Sequence, residues 1–162
     1  MVIIMCEQLR LEEGHKVLEV GAGSGYHAAI CAEIVAPSSS KKRGRVYTIE
    51  RLGPLADFAK ENLRRTGYAD RVMVIVGDGT LGYREAMPYD RILVTAAAPQ
   101  IPDALMRQLK VGGMMAIPIG GRYGWQELVI VKKTKKNESV TTSAGGVAFV
   151  PLVGKQGWSI KE

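Results

Sequence analysis

The sequence predicts an α/β fold: a doubly wound, mostly parallel sheet with an antiparallel edge, in one domain over residues 1–162. Three observations carry this. Short apolar runs alternate with helix-patterned stretches along most of the chain. Each run is nearly continuously apolar, as strands covered on both faces are. The last runs follow one another with no helix between them, which calls for antiparallel pairing.

Val2, Met5, Cys6 and Leu9 recur at helical spacing and predict an amphipathic helix ending near Gly14. Lys16 to Val20 reads as a buried strand that runs into Gly21-Ala22-Gly23-Ser24-Gly25, and the Ala- and Ile-rich Tyr26 to Val35 as a helix. Pro37 to Gly44 is a polar loop. Val46 to Ile49 is a β-branched second strand. Pro54 and Gly67 bracket a helix whose apolar stripe is Leu55, Phe58, Ala59 and Leu63. Val72 to Val76 is a third strand, ending at Gly77-Asp78-Gly79, and Arg91 to Val94 a fourth, ending at Thr95-Ala96-Ala97-Ala98-Pro99. A short helix from Pro102 to Leu109 stops at Gly112-Gly113. Met114 to Ile119 and Glu127 to Lys132 are the fifth and sixth strands; Lys133 to Gly146 reads as a polar turn region and Val147 to Val150 as a last strand.

A chain of 162 residues, 46% hydrophobic and 23% charged, can bury one substantial core and is not disordered. No apolar run reaches the roughly 20 residues of a membrane span, and Met1 to Leu11 lacks the basic start and cleavage site of a secretory leader. Two cysteines, Cys6 and Cys31, stand outside any CxxC pair. That usage fits the reducing cytoplasm and argues against a structural zinc site. The net charge of +6 gathers partly at Lys41-Lys42-Arg43 and around Lys132 to Lys136, and these clusters read as solvated loops. Nucleic acid ranks below that reading as a partner; an acidic substrate is a third possibility.

In an open parallel sheet, ligands bind at the carboxyl ends of the strands. The first strand ends in a glycine turn that a ligand can approach closely. A dinucleotide fingerprint, GxGxxG, needs glycine at position 26, where Tyr26 stands. The GxGxG spacing with Glu19 two residues ahead looks like the glycine motif of methyltransferases. Glu50 ends the second strand, where a carboxylate can hold a ribose diol. Asp78 ends the third, where it can accept from an adenine amino group; an Asp-Gly turn is the plainer reading. Three such signals on three successive strands weigh more than any one. The fourth strand ends in small, nearly apolar residues with no acid or base. A carboxylate is ionised at neutral pH and needs no base to attack a methyl group. Such a pocket therefore suits a substrate that brings its own nucleophile, and catalysis reduces to alignment and removal of water.

The segments Val17 to Ala29, Gly77 to Tyr83, Tyr89 to Pro99 and Phe149 to Gly154 resemble four blocks of the protein-L-isoaspartate O-methyltransferases, and the likeness covers essentially the whole chain. The resemblance implies a class I, Rossmann-like methyltransferase fold. It implies methylation of the free carboxylate of isoaspartyl residues in aged proteins and peptides, with S-adenosylmethionine as methyl donor, S-adenosylhomocysteine as product and no metal. By motif, Glu19 belongs to the cofactor-binding set, Gly21, Ala22, Gly23, Ser24 and Gly25 border the methionine moiety, Glu50 holds the ribose with Arg51 beside it, and Asp78 and Gly79 hold the adenine. Thr95, Ala96 and Ala97 line the isoaspartyl pocket, and Val150, Pro151 and Leu152 help close it. His27, Trp125 and Trp158 read as packing or surface residues. Family members carry further residues ahead of the helix that starts here at Met1, including a Gly-Gln-Thr-Ile-Ser-like stretch with active-site hydroxyls. This chain has no counterpart, so no catalytic hydroxyl is assigned. Two other readings stand beside this one: a cofactor-binding domain inactive through truncation, and an RNA or DNA methyltransferase using the basic clusters, which lacks a base-methylation motif.

Overall fold

The computed structural model describes residues 1–159. A seven-stranded sheet has the order β3-β2-β1-β4-β5-β6-β7. Its strands are β1 (Lys16–Val20), β2 (Arg45–Glu50), β3 (Val72–Val76), β4 (Tyr89–Val94), β5 (Leu109–Gly120), β6 (Gln126–Lys135) and β7 (Glu138–Val147). The first five are parallel, and β6 and β7 pair antiparallel at one edge. The helices are α1 (Val2–Gln8), α2 (Tyr26–Val35), α3 (Gly53–Arg65) and α4 (Asp103–Gln108). None is long and apolar enough to cross a membrane among the described residues.

Side chains alternate across a strand, so β1 feeds two cores. Val17 packs with Met5 and Leu9 of α1, Ala28, Cys31 and Val35 of α2, and Leu63 of α3. Leu18 and Val20 pack on the other face, with Leu105 of α4, Ile92, Val94, Ile117 and Leu152. Pro54 sits in the first turn of α3, and Arg64 and Arg65 in its last turn suit the helix dipole. The order β2-β1-β4 reverses direction at β1, so the crevice of a doubly wound sheet opens above the ends of β1 and β4.

Three element expectations change. The inner stripe of α3 is Ala56, Ala59 and Leu63, with Phe58 exposed to solvent. β5 starts at Leu109 and carries an irregularity through Gly112-Gly113, rather than starting at Met114. Lys133 to Gly146 is a hairpin turning at Lys136-Asn137, and the final strand is Glu138–Val147. An edge strand with both faces wet has no apolar alternation to betray it. Ala148 to Val150 instead lead into a strap, Val150 to Val153, that crosses the carboxyl end of β4.

Candidate active site

A cleft of about 510 Å³ lies over the ends of β1, β2 and β4, within the range of small-molecule sites. The glycine turn forms its floor. The amides of Gly21 and Ala22 both donate to the Ile49 carbonyl, at 2.8 and 3.2 Å, which folds the turn back over β2. Gly21 has φ +98°, and a Cβ there would stand 2.2 Å from the Thr95 Oγ1. Gly23 also has positive φ, and a Cβ would meet nothing within 4 Å; its open face is toward the cleft. Ala22 and Ser24 line a smaller cavity of about 260 Å³ on the α1 side of the turn, which shares Gly21, Gly23 and Thr95 with the main cleft. Gly25, φ +85°, begins α2.

Glu50 is buried on the cleft wall. One carboxylate oxygen accepts from the Gly23 amide (3.2 Å) and the other from the Leu52 amide (3.1 Å). Each oxygen keeps a lone pair for a further donor. Arg51 is exposed at the rim. Gly79 forms the opposite wall, where a Cβ would stand 2.3 Å from Val20 Cγ1. Asp78 does not wall the cleft. Its Oδ1 accepts from the Thr80 amide and hydroxyl (2.9 and 2.6 Å), and its Oδ2 from the Lys155 amide (2.8 Å). It thereby ties the end of β3 to the C-terminal strap.

Glu19 lies outside the cleft. It shares the face of β1 that carries Val17, and strand alternation turns it away from the cleft. It is fully buried; Oε2 accepts from Thr48 Oγ1 at 2.5 Å, and Oε1 stands 3.8 Å from His27 Nδ1 with no hydrogen-bond partner. Burial pushes its carboxyl up to about 7, against the pull of His27.

Thr95 and Ala96 also line the cleft. The Thr95 hydroxyl is spent on the carbonyls of Val20 and Gly21, at 3.0 and 2.9 Å. Ala97 is buried and acts through its backbone. Its amide donates to Val150 O (2.8 Å), and its carbonyl accepts from the Leu152 amide (2.8 Å) and Trp158 Nε1 (3.0 Å). These bonds hold Val150, Pro151 and Leu152 on the cleft wall. Trp158 is thus a strap anchor, while Trp125 is exposed.

The sequence reading missed two groups. Ile49, Leu52 and Leu55 give the cleft an apolar side, and Arg122 and Tyr123 reach it from the β5–β6 turn. The guanidinium of Arg122 lies 5.5 Å from the Tyr123 ring centroid and donates to Ser159 O at 3.1 Å. A glycine-bracketed turn with adjacent basic and aromatic residues was the available signal. Among the cleft-lining residues only Glu50, Arg51, Arg122 and Tyr123 can ionise. The site can hold a diol, cover an apolar ring and enclose a small polar group; the one acid of the main cleft, Glu50, is engaged by two amides, and His27 lines the adjoining smaller cavity.

The model of the family described as protein-L-isoaspartate(D-aspartate) O-methyltransferase (PCMT) matches residues 1–157. A protein-L-isoaspartate O-methyltransferase of Staphylothermus marinus is 56% identical over 158 residues, covering 98% of this chain and 70% of its own length. One from Hyperthermus butylicus is 59% identical over 160 residues, with 98% and 66% covered. A solved protein-L-isoaspartate O-methyltransferase superposes with a TM-score of 0.86 at 32% identity, over 96% of this chain and 47% of that one. A Plasmodium falciparum chain described as a protein-L-isoaspartate O-methyltransferase in complex with S-adenosyl-L-homocysteine gives 0.81 at 26%, over 94% and 73%. The chain thus spans about two thirds of the length of these curated relatives. Matched over nearly all of its length in both sequence and fold, it belongs to the protein-L-isoaspartate(D-aspartate) O-methyltransferase family.

Proposed function

We propose that this chain binds S-adenosylmethionine in the cleft and directs its methyl group to the free α-carboxylate of isoaspartyl residues in damaged proteins and peptides. The observation that carries the reading is a pocket without a general base, set directly beside a glycine turn and a buried ribose-type carboxylate. S-adenosylmethionine, when bound, supplies an electrophilic methyl on its sulfonium. Everything else falls to the chain. Glu50 would take the ribose hydroxyls on its remaining lone pairs. Ile49, Leu52 and Leu55 would cover the adenine, with Gly79 close against it and Asp78 offering its remaining acceptor capacity from the end of β3. Gly21 to Gly25 would border the methionine part, and the open face of Gly23 leaves room for it.

The isoaspartyl carboxylate would sit at Thr95 and Ala96 under Val150, Pro151 and Leu152. An ionised carboxylate is already a nucleophile, so the pocket has mainly to align it and exclude water. The ester formed is then open to attack by the neighbouring peptide nitrogen, which expels methanol and closes a succinimide. Water can reopen that ring to normal aspartate. Buried free thiols fit a cytoplasmic setting.

The test is methyl transfer to an isoaspartyl peptide beside its aspartyl twin, scored as base-labile ester. Transfer to the isoaspartyl form alone is the expected result. Binding of the cofactor with transfer to neither peptide overturns the proposal for this chain.

A further inference from the structure

Beneath the glycine turn, outside the main cleft, three metal-ligating side chains converge. Cys6 comes from α1, and His27 and Cys31 lie one turn apart on α2, on the same face. Cys6 Sγ is 3.5 Å from His27 Nε2 and 4.0 Å from Cys31 Sγ, and the three ligand atoms lie within 4.8 Å of one another. All three residues are buried. Around one tetrahedral zinc, bond lengths of about 2.3 Å to sulfur and 2.0 Å to nitrogen put two sulfurs about 3.8 Å apart and sulfur and nitrogen about 3.5 Å apart. The two separations from Cys6 are close to this spacing, and the His27–Cys31 pair lies within 4.8 Å.

A second observation points the same way. Glu19 Oε1, fully buried, is the one buried side-chain N or O atom among the described residues that lacks a hydrogen-bond partner. It faces His27 Nδ1 at 3.8 Å. A histidine that binds metal through Nε2 carries its proton on Nδ1 and commonly donates it to a carboxylate. Loading the site would therefore aim a donor at the atom that has none.

We propose that Cys6, His27 and Cys31 form a binding site for one thiophilic metal ion, zinc(II) or copper(I), that clamps α1 to α2 under the cofactor turn. Two thiols lose their protons on binding, and the resulting thiolates balance a divalent ion. Copper(I) suits the three-ligand set as it stands; zinc(II) would complete a tetrahedron with one added ligand. Glu19 acts as a positioning residue through His27. The role is separate from the proposed methyl transfer, since none of Cys6, His27 and Cys31 lines the main cleft; His27 borders only the smaller cavity on the α1 side of the turn. It also explains why the spacing of Cys6 and Cys31 carries no metal signature: the site is assembled by docking α1 on α2.

The experiment uses the purified full chain with reduced thiols. Cobalt(II) is titrated in, and zinc and copper(I) are then added to displace it. One equivalent of cobalt should give a thiolate-to-metal charge-transfer band with strong tetrahedral visible bands. Displacement at one equivalent by either ion ranks the two metals. Cys6→Ser and Cys31→Ser should each abolish the charge-transfer band, with far-ultraviolet circular dichroism confirming the fold. Glu19→Gln should keep the stoichiometry and weaken binding by about 10- to 100-fold. No band from the reduced, folded protein overturns the proposal. So does a band that survives both serine variants, or a mass two hydrogens lower that reveals a Cys6–Cys31 disulfide instead.

Discussion

Replacing Gly21 by alanine isolates the contact that shapes the cofactor turn. Two separate costs follow. Gly21 has φ +98°, a left-handed value at which a Cβ is strained by about 1–2 kcal/mol. The new Cβ would also lie 2.2 Å from Thr95 Oγ1, so that hydroxyl must leave the carbonyls of Val20 and Gly21. Losing that bonding costs about 0.5–1.5 kcal/mol. The single variant should therefore lose about 2–3 kcal/mol of stability. Thr95→Ala alone should lose about 1 kcal/mol, because the same bonding disappears without strain. In the double variant the hydroxyl is lost only once. The pair should then cost about 1 kcal/mol less than the sum of the singles, above the few tenths expected of independent sites. Denaturant melts of the four proteins give the cycle, and calorimetric titration with S-adenosylmethionine should show Gly21→Ala weakest among the singles. Strict additivity, or a Gly21→Ala cost near zero, would refute this account of why the turn needs glycine.

The other predictions touch different parts of the molecule. Glu50→Ala removes the acceptor of the Gly23 and Leu52 amides and the proposed ribose ligand, so S-adenosylmethionine affinity should fall by about 10- to 100-fold, the equivalent of one charged hydrogen bond; an unchanged titration curve would remove Glu50 from the site. Lys133 is buried, and its ammonium caps the end of α4 by donating to the carbonyls of Met106 and Leu109 at 2.7 Å each. Lys133→Met strips both carbonyls of their donor and should cost about 1–3 kcal/mol, read as a lower thermal midpoint. Asp90 accepts from the Lys16 amide and Lys110; burial pushes its carboxyl up, but these two partners outweigh it and hold it below the ordinary value of 3.8. A depressed carboxyl adds stability above its unfolded value, and that contribution is lost as pH falls through the folded value. Asp90→Asn should thus be less stable than the parent at neutral pH, with the gap closing in acid; a gap constant with pH would show that the ion pair is not its cause.

Part of the cleft was legible because strand ends are marked in the sequence. The glycine turn after β1 and Glu50 at the end of β2 stand where the topology gathers strand ends, so their meeting followed from the parallel fold, whereas Asp78 after β3 bonds Thr80 and Lys155 instead. Glu19 shows where that logic fails. Position in a motif suggested a ligand contact, yet strand alternation puts it with Val17, on the helix side. The β7 strand escaped because an exposed edge rich in Ser, Thr and Gly lacks the apolar alternation that marks a half-buried strand. Arg122 and Tyr123 reach the cleft only through the β5–β6 turn, and Cys6 meets Cys31 only through helix docking. Neither meeting is encoded in local spacing.

The distribution of work between side chains and backbone fits the chemistry proposed. A reaction needing proton transfer would require an ionisable group held beside the reacting carbon, and those are expensive to bury. Here the groups nearest that place, Thr95 and Ala97, are committed to structure. Thr95 braces the glycine turn, and the backbone of Ala97 holds the strap that Asp78 grips from the other end through Lys155. The two walls of the pocket are therefore mechanically linked through β3 and β4, whose carboxyl ends also bound the cofactor cleft. On the proposed reading, the strap above the substrate and the turn beneath the methyl donor are parts of one hydrogen-bonded arrangement. For a nucleophile that arrives already charged, that alignment is most of what catalysis has to provide.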